Sequence, residues 1–491
     1  MTTIPAPVAE TRAATASATA TTSRSAVPSA QTLTVSGFVA LTVLGLAGVG
    51  GRAFGPVWAL AAALTALALV RRNPAGFLAF VVSLWFYTPL VRRVLDLHHG
   101  FQATNLALAA PVLASAVALL TVVRFGRELR GVLFAPAILV IAAVTYGFLI
   151  GALRNGVVPA FYAYLAWLSP SLVGLHTALH WRRYPEMRDV FLRTLAWGIA
   201  PTALYGMYQF VFMPPWDKLW MVSTDLQSIG RAEPFGARVF GSMTMPGTFA
   251  VVMEVGLLLL LSARVFGRLP ALVLGFVGLL LTRIRTAWLG FVFGLVLQFI
   301  TQPVSRLPRN WLTIAVMAVL SLPVITIPRI REGITDRIVS LSKQGEDSSV
   351  RSRMLVARAG YALVLDYAEG AGLGATGSAV TARTKGGIRN FENGLLEVFY
   401  LFGWPGGLMF FLGLFGIVVQ GMRLADARFD QFANAVRSGA AALLASLLIS
   451  EIFTGAAGTL FWVLIGFSVS AHAHNLASGA TMAYRASLRP R

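Results

Sequence analysis

Glu392-Asn393-Gly-Leu-Leu-Glu-Val-Phe-Tyr-Leu-Phe-Gly403-Trp404-Pro405-Gly406, running on apolar to Gln420, sets a carboxylate just before a long hydrophobic run and a glycine and proline turn just inside it. A run of this length spans a bilayer, and because lipid leaves no partner for an exposed peptide group it spans it as a helix. The stretch reads as the lip of a site at the surface of a membrane protein.

The rest of the chain agrees. Of 491 residues, 56% are hydrophobic and only 12% charged, with a mean hydropathy of +0.71, against roughly 25% charge in a soluble domain. Apolar runs separated by Arg, Gly and Pro clusters recur from Thr32–Gly50 to Thr459–Ser470. They predict an all-α, polytopic bundle of about 12–14 transmembrane helices. The expected organisation is a disordered cytoplasmic tail over 1–30, a membrane domain over 31–475 and a second cytoplasmic tail over 476–491. The first tail is rich in Ala, Thr and Ser and lacks the apolar core of a signal peptide. The absence of cysteine removes disulfides, thiolate metal sites and cysteine nucleophiles. Apart from His472 and His474, only His98 and His99 form a close histidine pair, so no metal is expected.

Arginine placement gives an orientation. Arg71 and Arg72; Arg124, Arg127 and Arg130; Arg182, Arg183 and Arg188; Arg264 and Arg268; Arg306 and Arg309; and Arg423, Arg428 and Arg437 all fall in alternate connections. Short cytoplasmic loops collect basic residues, so both termini are expected in the cytoplasm. Much of the formal charge of +20 is therefore a topology signal rather than a nucleic-acid footprint. Two long connections fall outside, roughly 214–242 and 329–394, and the second is net basic, which points to an anionic ligand reached from that side.

Within the second connection, Val350–Tyr367 has the periodicity of an amphipathic helix lying over the bundle mouth. Gly372-Leu-Gly-Ala-Thr-Gly377 spells G-x-G-x-x-G, but no strand precedes it, so it reads as a flexible turn rather than a nucleotide loop. Arg283-Ile-Arg285-Thr-Ala-Trp-Leu-Gly290 opens a helix at the outer surface. Cations there oppose the helix dipole, so these arginines answer either a bound anion or lipid phosphates. His176 reads as a satisfied bundle histidine. Glu254, Glu397 and Glu451 fall within or beside apolar runs, where acids often mark ion or proton paths. They make a flippase or proton-coupled transporter the reading from another class. Against it, such proteins tend to have paired halves with matching broken helices, and this chain has one large off-centre external loop.

Four elements in order resemble the O-antigen ligase and polymerase family: R-V-F-G-x-x-x-x-P at Arg238–Pro246, R-T-A-W-L-G at Arg285–Gly290, an Arg-bearing helix leading to G-x-G, and Glu392–Gly406. The last fits the family's H-[NSQ]-x9-G-x-x-G with Glu392 in place of histidine. The ordered set covers roughly 230–410; the first two hundred residues match only as generic helices, although Arg92-Arg93 is a familiar placement. Such proteins are similar to GT-C-type membrane glycosyltransferases. The resemblance implies a bacterial inner-membrane enzyme that uses no cofactor or metal. It would transfer an undecaprenyl-diphosphate-linked oligosaccharide to a glycan acceptor hydroxyl at the external face. It implies catalytic roles for Arg285 and Glu392, pyrophosphate contacts for Arg238, Arg283, Arg351 and Arg353, and motif roles for Asn393, Gly403 and Gly406.

The chemistry fits the residue types. Guanidinium forks onto paired phosphate oxygens, and fixed arginines stabilise charge gathering on a leaving diphosphate. A carboxylate is ionised near neutrality and accepts a hydroxyl proton without any shift. Glu392 also suits a helix start, which Asn393 can cap by itself. A ligase acting on lipid A core is expected to keep the histidine, so the departure favours a polymerase over a ligase-type transferase to a lipid or other acceptor. The reading requires Arg285, Arg353 and Glu392 to face one external cavity.

Overall fold

The computed structural model describes residues 30–130, 134–224, 229–303, 307–332, 335, 358, 360–376, 391, 393–422, 424–481 and 484. The expected tail over 1–30 lies outside them except for Ala30. The described residues are mostly helical, and their only β feature is an isolated antiparallel bridge between Gly230 and Ala237. In chain order the helices are α1 (Ala30–Leu46), α2 (Phe54–Val70), α3 (Pro74–His99), α4 (Ala110–Ala116), α5 (Leu119–Arg124), α6 (Ala135–Arg154), α7 (Val157–Leu179), α8 (Tyr184–Phe212) and α9 (Pro215–Thr224). There follow α10 (Pro246–Ser262), α11 (Arg268–Leu281), α12 (Arg285–Thr301), α13 (Leu307–Ile325), α14 (Gly394–Gly421), α15 (Leu424–Phe429), α16 (Gln431–Ala445) and α17 (Gly455–Ala477).

Among the described residues, 8 spans are long and apolar enough to cross a membrane, and α1, α10, α11 and α12 are shorter apolar helices. This is a polytopic helical membrane protein. The count of full-length spans falls below the 12–14 expected because several apolar runs yield helices of 14 to 17 residues, short of the ~20 that a straight crossing needs. Of the amphipathic helix expected over Val350–Tyr367, residues 358 and 360–367 are described, and all but 367 are helical.

Local chemistry marks the helix starts. Asn73 accepts a hydrogen bond from Gly76 N with Pro74 at the first helical position of α3, and Asp430 accepts from Phe432 N and Ala433 N to open α16. Helix α10 is buried on every side, from Phe249 and Met253 to Leu260, and packs against α8, α11, α12, α16 and α17. It runs parallel to α12. Gly290 leaves the space that Glu254 fills, Gly294 the space for Leu258, and Gln298 donates to Ser262 Oγ. Small residues at that spacing let two backbones approach closely in lipid.

One end of the bundle collects the functional candidates. The start of α17 lies beside the middle of α7, with Trp167 on Phe453. The middle of α3 meets the start of α17 around a small cavity lined by Phe86, Met243, Ala456 and Leu460. The turn between α11 and α12 reaches the same end, where Val239 N donates to Leu281 O.

Candidate functional site

Two structures form this mouth. The first is a cluster of arginine-bearing turns. Arg283 joins α11 to α12 with φ +55°, a left-handed conformation that a non-glycine residue holds at a cost of ~1–3 kcal/mol. Thr282 braces the turn: its hydroxyl donates to Leu279 O and accepts from Ile284 N. Trp288 Nε1 also donates to Leu279 O, at 3.0 Å. Strain held in place by surrounding bonds points to a functional constraint, and its effect is to put Arg283 and Arg285 on one short, rigid connection.

Arg283 lies 6.0 Å from the Phe210 ring. Phe210 meets Phe235 edge to face at 5.3 Å, and Arg329 sits 5.0 Å over Phe235. Arg238 follows in the same hairpin, with its N–H donating to Ile229 O. Arg238, Arg283 and Arg285 are each half-buried. The structure therefore brings Arg238, Arg283 and Arg285 into one neighbourhood and adds Arg329, which the sequence offers only as one of many basic loop residues.

The turn from Arg238 to Met243 is held from behind by buried polar side chains. Gln209 Oε1 accepts from Phe240 N and Gly241 N, each at 3.1 Å. Gln209 Nε2 donates to Asp217 Oδ2 at 2.7 Å, as does Tyr205 Oη at 2.5 Å. Arg93 Nη2 donates to Gly241 O at 2.6 Å, and its guanidinium lies 4.8 Å over the Phe240 ring. Arg93 Nη1 is 2.8 Å from Asp217 Oδ1, an ion-pair contact too bent to count as a hydrogen bond. Burial pushes the Asp217 carboxyl up from its ordinary value, and Arg93, Tyr205 and Gln209 oppose the rise.

The second structure is a break in α14. Gly403 has φ +65° and ψ −173°, and divides the helix into an outer and an inner arm. The break strands two carbonyls: Trp404 N turns to Ala368 O instead of Tyr400 O, and Pro405 has no N–H to give Leu401 O. Residues 368–373 fill the gap, with Ala371 N donating to Tyr400 O and Gly372 N to Leu401 O, at 2.7 and 3.0 Å.

On its other side this segment docks on α6. Leu373 N donates to Gly147 O, and Asn155 Nδ2 donates to the carbonyls of Ala371, Gly372 and Leu373. Arg154 pairs with Glu369 at 2.9 Å and also donates to Gly370 O. Backbone lies on backbone at Gly151, Gly370, Gly372 and Gly403, leaving no room for a Cβ at any of them. Over 372–376, the described part of the flexible turn expected at Gly372–Gly377, the reading is corrected: Leu373 is fully buried, and Gly372 and Gly374 serve close packing.

Asn393 caps the outer arm by accepting from Leu395 N and Leu396 N at 3.0 and 3.1 Å. Gly406 packs against Phe402 and Tyr146. Glu397, in the first turn of α14, is buried and accepts from Thr376 Oγ1 at 3.3 Å. Glu451, whose backbone lies against Gly394 at the start of the same helix, accepts from Phe453 N, Thr454 N and Thr454 Oγ1. Glu254 is buried in α10, and among the described residues neither of its oxygens has a hydrogen-bond partner. His176 is buried between Thr121 and Pro74 O, at 2.8 and 3.2 Å. Glu392, Arg351 and Arg353 lie outside the described residues.

The fold and this mouth define a membrane-embedded helical protein with clustered guanidinium groups at one end. Residues 270–411 match the O-antigen ligase family. The matched segment is under a third of the chain. It includes Arg283, Arg285, Asn393, Gly403 and Gly406; Arg238 precedes it. The comparison with curated proteins found no match.

Proposed function

We propose that the protein is a polysaccharide polymerase of the bacterial inner membrane, both termini cytoplasmic, that acts on undecaprenyl-diphosphate-linked glycans at the external face. The observation that carries this reading is the strained Arg283 turn, which commits Arg283 and Arg285 to the neighbourhood of Arg238 inside and beside an O-antigen ligase domain. Arg238, Arg283 and Arg285, with Arg351 and Arg353 from the long loop, bind the donor diphosphate. Arg285 sits on the leaving oxygen. The acceptor oxygen forms its bond to the donor's anomeric carbon as the bond to the diphosphate oxygen breaks. The electron pair leaves with undecaprenyl diphosphate, and Glu392 takes the acceptor's hydroxyl proton.

The lipid part of such a donor needs lateral entry. An apolar groove of ≈ 730 Å³ between α1, α2 and α3, lined by Phe38, Trp58, Tyr87 and Val91 and reaching Tyr205 and Trp216, has the chemistry to take an isoprenoid chain. Glutamate where ligases carry histidine supports repeat-unit polymerisation over transfer to lipid A core. The test uses purified protein in liposomes with a synthetic undecaprenyl-diphosphate oligosaccharide. A ladder of lengthening products is expected. A single transfer to a supplied lipid acceptor would establish a ligase, and movement of intact donor without new glycosidic bonds would establish a flippase.

A further inference from the structure

Arg93 and Asp217 have side-chain exposures of 1% and 0%, and a buried ion pair adds little stability over well-packed apolar residues, because desolvation offsets the attraction. Its presence calls for another reason, and the turn it touches supplies one. Each residue from Arg238 to Met243 has a backbone or side-chain bond: Arg238 to Ile229, Val239 to Leu281, Phe240 and Gly241 to Gln209, Gly241 again to Arg93, Ser242 to Phe86, and Met243 to Phe240. Phe240 and Gly241 depend on one side-chain oxygen, Gln209 Oε1. Gln209 is oriented in turn by Asp217, and Asp217 by Arg93 and Tyr205. The residues behind the turn are buried, and the one charged residue on the turn is the half-buried Arg238.

We propose that Gln209, Asp217 and Arg93 are positioning residues that set the Arg238 guanidinium for the donor's diphosphate, an inference that rests on the phosphate-binding reading of Arg238. A guanidinium binds paired oxygens through two aligned N–H groups, so a shift of its backbone costs affinity even when the charge stays. The chain of bonds also makes the effect directional. It passes from α3 and α9 through Gln209 to the turn, and on through Val239 and Leu281 toward Arg283.

Gln209→Met keeps side-chain length and removes both the acceptor for the turn and the donor to Asp217. The expected result is a donor KM raised about tenfold with kcat within about threefold, and less than about a twofold further effect when Arg238 is already alanine. Amide hydrogen exchange at Phe240 and Gly241 should quicken by about tenfold while α10 stays protected. The exchange of groups in Gln209→Glu with Asp217→Asn keeps one amide and one carboxylate in the pocket and should restore donor KM to within about threefold of wild type; this pair also carries the test if Gln209→Met does not fold. Unchanged exchange and KM in Gln209→Met, or losses that add fully to those of Arg238→Ala, would overturn the positioning role. An Arg238→Ala protein with normal donor KM would instead overturn the phosphate reading, even where exchange at Phe240 and Gly241 responds to Gln209.

Discussion

The turn that carries Arg238 is pinned by side chains, with Gln209, Arg93 and Ser242 each bonded to backbone. The turn at Gly403 is pinned by backbone, with residues 368–373 laid between α6 and the break in α14 and no Cβ in the way. The first depends on partners that can be removed one at a time, so damage should be graded. The second depends on absent atoms, so damage should be abrupt. A mouth built this way has one side that tunes and one that fails.

The largest expected effect tests whether chemistry belongs to the glycine-held arm. Glu392→Gln keeps size and hydrogen bonding but loses basicity, so the polymerisation rate should fall by ~10²–10⁴ while donor binding persists. Glu392→His should keep partial activity with a pH profile moved toward ~6.5. Polymer formation by purified protein across pH is the measurement, and wild-type speed for Glu392→Gln would reduce this residue to a charge at a helix start.

Next comes the break itself. Gly403→Ala places a Cβ on the Glu369 backbone in a left-handed conformation, an expected cost of ~2–5 kcal/mol seen as a lowered Tm in detergent. Gly267→Ala is the control. Its φ is +78° but the space around it is open, so only about 1 kcal/mol should be lost. Equal losses at the two positions would mean that conformation, and not close packing, is what both glycines provide.

Arg285→Lys probes the arginine side. A point charge cannot make the forked contact, so about a tenfold loss of activity is expected at normal expression; full polymer yield would assign Arg285 to lipid phosphates. The smallest effect should come from Arg329→Gln, a few-fold rise in donor KM, because an exposed cation over one ring contributes only ~0.5–1 kcal/mol. A loss as large as that of Arg285→Lys would place Arg329 among the direct phosphate contacts.

Much of the fold was legible because membrane insertion writes it locally. Apolar runs and the Asn393 cap can be read a few residues at a time. The candidate site was legible only where its chemistry was carried by sequence neighbours, as in Arg283-Ile-Arg285. Arg93 and Asp217 meet across more than a hundred positions, and nothing local marks their pairing. Gly372-Leu-Gly374 looked like a flexible turn because its partners, Gly147, Gly151 and Asn155, lie on a distant helix. Arg329 was one basic residue among many until Phe235 gave it an address.

The inserted segment at 368–373 also sets an order of assembly. In lipid the carbonyls of Tyr400 and Leu401 cannot be left open, and their donors come from a stretch that is itself held by α6. The ribosome delivers α6 first, then residues 368–373, and α14 last, so every partner precedes the element that needs it. A nascent chain ending before residue 368 has no broken helix to complete. One that extends through Gly421 has all three strands of the joint in hand, and the joint can close while the rest of the protein is still being made.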